Sequence, residues 1–408
     1  MTDGVPEAVA LPVLPIVVDL DGPLPSVEAG RHRTVLALVR HGRRPVREVV
    51  VPVPADGLAP EELEAMLGGP TDPAPLPLTF DPDRPPVAVT VVVTTCGSPP
   101  DLVRTVRSVL DCVGVEPHVV IVDNRPTNGL TRPAVEAAFG DDPRVRLVEE
   151  PRVGLSSARN TGIAVATTEI VAWTDDDVVV DPWWLAAMVD AFAEPDVGLV
   201  CGWVRPLALD TEAQWWRERS RGYAGGVEPR RWELARPPAG EPLFPFAPGR
   251  IGTGANMAAR RAVLASIGGF DERLGAGTLA GGGEDLDLIL RCLEAGAAVR
   301  YEPAALVAHQ HHETWSQLID QARSYGLGLA SYLVTVVTRP TRWPAILRRV
   351  PAAVGHLRSL RQGPASETGP SDAGFARRLR RAEAAGLVVG AARSVRWVAR
   401  RPRARSFP

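Results

Sequence analysis

A chain of 408 residues with 45% hydrophobic residues has room for roughly two to three domains and a sizeable buried core. Its formal net charge of -3 excludes a global pull toward nucleic acid, and its 45 basic residues are all Arg, the mark of a GC-rich, bacterial coding bias. Four Cys, at 96, 112, 201 and 292, have neither metal-ligand spacing nor the density of a disulfide framework, which suits a reducing cytosol. Met1-Thr-Asp-Gly lacks a basic segment followed by an apolar one, so no secretory signal is expected. No window approaches the ~20 apolar residues that a spanning helix needs. The expectation is a soluble or peripheral cytoplasmic protein.

Residues 1–85 read as a small β-rich unit with a linker. Pro12 to Asp19, Arg33 to Arg40 and Val46 to Val53 have strand character, Pro60 to Leu67 reads as a short helix, and Thr71 to Pro86 is rich in Pro and Asp. Strands this close together predict an antiparallel appendage. It holds no cluster of catalytic side chains.

From residue 86 to 335 strands and helices alternate, the rhythm of an α/β layer fold with a mostly parallel central sheet. Val87 to Thr95 is β-branched except at Ala88, as a strand buried on both faces requires. His118 to Val122 is a second strand ending in Asp123-Asn124. Val145 to Val148 is a third, followed by Gly154-Leu-Ser-Ser-Ala-Arg-Asn-Thr-Gly162 entering a helix. Ile170-Val-Ala-Trp-Thr is a fourth and runs into Asp175-Asp-Asp177.

Three adjacent carboxylates at a strand end repel one another, so a divalent cation with a preference for oxygen would relieve them. In extended chain Asp175 and Asp177 share a face that Asp176 does not. A solvated acidic turn is the simpler reading of the triplet alone. In open α/β sheets, however, ligands collect beyond the carboxyl ends of strands, where Thr95, Asp123 and the triplet all fall. A nucleotide along that edge would meet Thr95 and Asp123 with its base and ribose, and the triplet with its phosphates through a metal.

The segment from Arg205 to Arg250 is long and aromatic. Trp215, Trp216, Tyr223 and Trp232 suit either a stacking surface for a sugar or acceptor, or a core. The glycine-rich run Gly275 to Gly283 precedes Glu284-Asp285 at the start of a helix carrying Leu286, Ile289, Leu290 and Leu293. Asp285 could simply cap that helix. A glycine loop ahead of a fixed carboxylate also describes a mobile lid over a general base. His309-Gln-His-His follows a further apolar segment, and either His309 or His311 could join Asp177 in a metal site.

The order of these motifs resembles the inverting family 2 glycosyltransferases with the GT-A fold. The resemblance rests on Val91-Val-Val-Thr-Thr, Ile121-Val-Asp-Asn124, Gly154 to Gly162, Thr174-Asp-Asp-Asp177, Gly268-Gly-Phe-Asp271, Gly283-Glu-Asp285 and His309, over about Val87 to Tyr332. It implies that Thr95 and Asp123 hold the nucleoside, with Arg159 and Asn160 nearby. It also implies that Asp175, Asp177 and His309 hold Mg2+ or Mn2+ with the donor diphosphate. Asp285 is then the catalytic base, and Asp176 and Glu284, inside the same motifs, count with the nucleotide-binding residues. The donor would be a UDP-, GDP- or dTDP-sugar, and the acceptor hydroxyl would sit on a glycan, a lipid-linked or a small-molecule substrate. Two rival readings are a sugar-1-phosphate nucleotidyltransferase and a non-catalytic nucleotide-sugar binder. Cys96-Gly-Ser-Pro-Pro lacks the Lys or Arg expected after the first strand of the former.

Residues 336–408 form a basic helical region, with sixteen Arg against Glu367, Asp372 and Glu383 from Arg339 onward. Gly363 to Gly374 reads as a linker between two basic segments. The second mixes Arg with Leu379, Leu387, Val388, Val395 and Trp397, the composition of a helix on an anionic membrane at its cytoplasmic face. No nucleic-acid recognition motif accompanies it.

Overall fold

The structure is a computed structural model that describes residues 9–69, 78, 85–221, 226–362 and 370–398. Most of the expected linker after the N-terminal unit, Tyr223 and most of the expected linker after Gly363 lie outside the described residues.

The chain opens with β1 (Val13–Asp19), β2 (Val27–Glu28), β3 (Thr34–His41), β4 (Arg44–Pro52), β5 (Gly57–Leu58) and α1 (Pro60–Leu67). β3 and β4 form a hairpin across Gly42 and Arg43, whose φ angles of 57 and 64 give the turn that matches strand twist. β1 pairs parallel with β3, from Val13 opposite Thr34 to Asp19 opposite Arg40, which corrects the antiparallel expectation. Residues 20–33 are long enough to cross back to the starting end of β1, and that is what a parallel pair requires. β3 is buried on both faces. Val35, Ala37 and Val39 pack with Leu63 and Leu67 of α1, whereas Leu36 packs with Leu209 and Trp215 of the following domain.

That domain contains β6 (Val87–Thr95), α2 (Pro99–Leu110), β7 (Val115–Asp123), α3 (Thr131–Phe139), β8 (Val145–Glu149), α4 (Leu155–Val165), β9 (Ile170–Asp175) and β10 (Val178–Val180). It continues through α5 (Trp184–Ala191), β11 (Val197–Pro206), α6 (Glu212–Arg221), β12 (Arg230–Trp232), β13 (Asn256–Arg260), α7 (Arg261–Ile267), α8 (Glu284–Glu294) and β14 (Ala298–His309). The sheet order is β10-β14-β11-β13-β9-β6-β7-β8, with β12 also on β14. β8, β7, β6, β9, β11 and β14 share one direction, and β13, β10 and β12 oppose it, so the sheet is mostly parallel.

Apolar stripes on the helices cover both faces. Leu102, Val106 and Val109 of α2 and Trp184, Leu185 and Met188 of α5 fill one side, and Ile163 of α4, Leu264 of α7 and Leu288 and Leu293 of α8 fill the other. Each such side chain contributes about 1.5–3 kcal/mol on burial. The α/β layer fold expected from the alternation is therefore the fold found.

Three helices complete the chain: α9 (Trp315–Val337), α10 (Trp343–Gln362) and α11 (Pro370–Val398). α9 begins with a capping box, in which the Thr314 hydroxyl accepts from the Gln317 amide at 3.3 Å and the Gln317 side chain accepts from the Thr314 amide at 3.0 Å. α11 runs alongside α9 in the same direction: Phe375 and Leu379 pack with Trp216 and Leu318, and Ser394 reaches Ser331 at 3.3 Å. Small residues bring the two backbones together. A Cβ added to Gly390 would lie 2.6 Å from the Leu327 carbonyl oxygen, and additions at Gly326 and Gly386 would meet the carbonyls of Glu383 and Arg323. Of the apolar residues of the last basic segment, Leu379 is buried against α9 and α6, whereas Val388 is exposed; the side chains of Val395 and Trp397 lie outside the described residues. Among the described residues no helix is long and apolar enough to cross a membrane.

Candidate active site

β6, β7 and β9 are parallel neighbours in register at their ends, with Thr95 opposite Asp123 and Thr94 opposite Asp175. Polar residues far apart in sequence thus meet at one sheet edge. Beyond Asp175 the chain turns and enters β10, which pairs antiparallel with the end of β14, setting Val178 opposite His309. That short strand is what brings the imidazole to the carboxylates.

Asp175, Asp177 and His309 offer two oxygens and a nitrogen that all lie within 4.8 Å of one another. His309 Nε2 is 3.3 Å from Asp177 Oδ1, a buried oxygen that accepts no hydrogen bond. Opposite ligands of an ion bound at about 2.1 Å are about 4.2 Å apart, so only small shifts separate this set from coordination. Oxygen donors with one imidazole suit Mg2+ or Mn2+. Burial pushes the Asp177 carboxyl up, His309 opposes that, and the neighbouring Asp175 charge adds to it.

Asp176 turns the other way. Its Oδ2 accepts from the Thr95 hydroxyl, which in turn accepts from the Gly97 amide at 3.0 Å. Burial pushes Asp176 up to about 6, with the Thr95 bond opposing and the flanking carboxylates adding. Thr95 thus clamps the β6 end to the triplet. Asp123 is buried and caps the turn after β7, with Oδ1 accepting from the Arg125 amide at 2.9 Å. Among the described residues its Oδ2 accepts no hydrogen bond, and that atom stays available to a ligand.

Arg159 joins the two halves of the site. It is 1% exposed on α4 and donates to Asp175 Oδ1 (3.1 Å), to Glu284 Oε1 (3.1 Å) and to the Gly254 carbonyl (2.9 Å). This buried guanidinium bridges the carboxylates of the two acidic centres. Burial, with help from the Asp285 charge, pushes Glu284 up to about 7 despite Arg159. Asp285 is half-buried. Its Oδ2 accepts from the Gly254 amide at 3.1 Å and its Oδ1 from the Leu286 amide at 2.8 Å. Gly254 therefore touches both functional ends. A Cβ there would press on the Arg159 guanidinium at 2.9 Å.

Other expected residues are placed elsewhere. Asn160 exchanges two hydrogen bonds with the Phe270 backbone, at 2.9 and 2.8 Å, and ties α4 to the loop after α7 rather than reaching the cleft. His311 is buried 2.9 Å from Glu218 of α6, which leaves His309 as the imidazole of the cluster. Trp215, Trp216 and Trp232 are core residues. Trp216 packs edge-on against Trp315 and Phe375, and the Trp232 indole donates to Glu241. Of the two readings of these tryptophans, stacking surface or core, the structure has the core.

The glycine run is not a loose lid. Gly275 bonds back to Gly282 at 3.2 Å, Leu274 and Ala280 are fully buried, and Gly282 and Gly283 pack on Gly328 of α9. Gly283 holds φ 84 with the Gly328 carbonyl 2.6 Å from where a Cβ would be, so glycine serves turning and contact at once. Asn124 stands in the sequence motif beside Asp123 without a role of its own there. Its amide donates to the carbonyls of Glu150 (2.9 Å) and Arg152 (2.8 Å) and accepts from the Gly154 amide (2.9 Å), which sets the entry to α4. Its place directly after Asp123 is the one available signal.

Comparison with known proteins gives the chain its family. The model of glycosyl transferase family 2 matches residues 90–268, from β6 through α7. A pre-mycofactocin glycosyltransferase of Mycobacterium tuberculosis is 29% identical over 67% of this chain and 55% of its own length. An uncharacterized glycosyltransferase of Mycobacterium bovis is 32% identical over 51% of this chain and 80% of its own. The chain spans about half the length of the first of these relatives. Among solved structures, a mannosyltransferase from Pyrobaculum calidifontis in complex with GDP-Man and Mn2+ is 22% identical, covering 78% of this chain and 89% of its own at a TM-score of 0.49.

Proposed function

The chain belongs to glycosyl transferase family 2, and from that premise we propose that it moves a sugar from a nucleotide-diphosphate donor to an acceptor hydroxyl with inversion. The observation that carries the reading is the linkage of two acidic centres through one buried cation: Asp175 of the Asp175–Asp177–His309 cluster and the Glu284–Asp285 pair meet at Arg159 and Gly254.

Asp175, Asp177 and His309 would hold Mg2+ or Mn2+. Such an ion supplies a Lewis acid that offsets charge on a departing diphosphate. Asp123, with a free Oδ2 at the edge of the sheet, receives the ribose, and Thr95 acts indirectly by fixing Asp176. Asp285 is half-buried, and its two backbone amide donors aim its carboxylate without filling its lone pairs. It takes the acceptor hydroxyl proton as that oxygen bonds to the anomeric carbon. The bond from that carbon to the diphosphate breaks, its electron pair leaves with the nucleoside diphosphate, and a single displacement inverts the centre. The donor class comprises UDP-, GDP- and dTDP-sugars. The acceptor belongs to a glycan or a lipid-linked precursor, met where the basic C-terminal region lies on the cytoplasmic face of an anionic membrane.

General-base help is worth about 10²–10⁴-fold, so Asp285→Asn should lower turnover by that factor. It should leave Mn2+-dependent thermal stabilisation by nucleoside diphosphates in place, and Asp177→Ala should abolish that stabilisation. Normal turnover in Asp285→Asn would sink the assignment of the base.

A further inference from the structure

α10 presents an apolar row that is left exposed among the described residues. Trp343, Leu347, Val350 and Val354 recur at i, i+4, i+7 and i+11, the spacing of one helical face, and are 54, 69, 46 and 40% exposed. Leu333 and Val337 at the end of α9, each at least 40% exposed, extend it, and the Trp343 indole is anchored on the Val337 carbonyl at 2.8 Å. Other exposed large apolar residues, such as Met66, Leu130 and Leu234, lie far apart in the chain. A contiguous row of this kind marks a contact surface.

The charge around the row selects the occupant. From Arg339 onward the chain carries sixteen Arg against three acids, although the whole chain is acidic. Arg348 on α10 and Arg378, Arg380, Arg381 and Arg393 on α11 are exposed. We propose that the α10 row is a membrane-docking surface that inserts into the headgroup region of an anionic phospholipid bilayer. An apolar face, a Trp and surrounding Arg are what such an interface accepts, since buried area and attraction to anionic lipid add. α11, whose Phe375 and Leu379 are spent on α9, adds cations, and its exposed Val388 is not part of the α10 row.

The placement bears on the acceptor. On its inner side α10 packs Ile346 into the cluster of Leu286, Leu290, Phe246 and Tyr332, and Leu286 adjoins Asp285. One helix diameter, about 10–12 Å, separates the docking face from the first turn of α8. An acceptor hydroxyl on a lipid headgroup at the bilayer surface would therefore come within reach of the base. This corollary rests on the proposed transfer, whereas the surface does not, and vesicle binding read without donor lets the two fail separately.

The test is co-sedimentation of the full chain with equimolar phosphatidylglycerol–phosphatidylcholine vesicles and with phosphatidylcholine alone. The wild type should favour the anionic vesicles, and Leu347→Glu/Val350→Glu should lower binding at least tenfold, since both charges fall in the middle of the inserted row. Val388→Glu, at an exposed position on α11, should bind as the wild type does. All three should keep the thermal stabilisation by Mn2+ and nucleoside diphosphate. Equal binding by the double variant, or none by the wild type, overturns the proposal. So does a concentration-dependent dimer in lipid-free sedimentation velocity that the double variant loses, because the row would then belong to a second copy.

Discussion

The N-terminal strands and the C-terminal helices flank the same sheet and are fastened to it by opposite chemistry. On the N-terminal side the fasteners are buried arginines. Arg205 of β11 reaches Glu48 at 2.9 Å and the carbonyls of Ile16 and Leu36 at 3.1 and 3.2 Å. Arg40 bridges Asp19 and Asp181, and Arg44 bridges Asp190 and Glu302. On the C-terminal side, beside Arg342 on Glu294, Arg349 on the Phe244 carbonyl and Tyr332 on the Phe246 carbonyl, the described seams are apolar and glycine-lined: α11 on α9 at Gly386 and Gly390, then α9 on the loop at Gly328 and Gly283. The second chain of contacts ends one residue from Glu284. The first ends on β11, β14, α5 and the turn before α5, away from Asp285, the proposed base. Damage to the arginine side should therefore cost stability, and damage to the glycine side should cost turnover.

Three substitutions sharpen that contrast. Arg205→Leu strands Glu48, whose carboxyl burial already pushes up and Arg205 pulls back. Denaturant midpoints should show a loss of about 3–5 kcal/mol, with turnover per folded molecule unchanged. A drop in turnover at full stability would reverse the assignment of that flank.

Glu284→Gln tests the place where the glycine stack meets charge. The folded value of Glu284, about 7, lies above its ordinary 4.5, so the stability it contributes is full below pH 4.5 and is lost as pH rises through 7. That loss amounts to about 3 kcal/mol at most, and the variant should flatten the stability profile across this window. An unchanged slope would mean that Glu284 is ionised throughout.

Gly390→Leu has the smallest expected cost in stability, about 1–3 kcal/mol from overpacking against Leu327 and Ala330. Its signature is kinetic. Turnover should fall about tenfold, or about 1.4 kcal/mol in barrier, with donor-induced stabilisation retained. If turnover holds, the helices are a passive support.

The strand ends were legible in the sequence because β-branched runs stop at polar residues, and parallel strands bring those stops to one edge. Thr95, Asp123 and Asp175 could be named on that ground alone. Partners fixed only by tertiary contact were not legible. Asn124 serves two carbonyls from another loop, and Arg159, expected beside a nucleotide, is buried between carboxylates. The glycine run misled because glycine marks both mobility and close backbone contact, and only Gly328, some 45 residues on in the chain, distinguishes them. The parallel β1–β3 pair was missed for a related reason: pairing direction depends on where a crossover lands, which composition does not record.

Gly254 gives the cleft a built-in ruler. Its N–H holds Asp285, and its C=O holds the arginine that grips Asp175, so a single residue spans the two acidic centres. Consecutive Cα atoms are about 3.8 Å apart and peptide planes do not stretch, so that gauge is fixed. Retuning this scaffold toward a longer or shorter substrate would therefore succeed at the rim, in the stretch between α6 and β13 or along α10. The floor of the cleft admits one length.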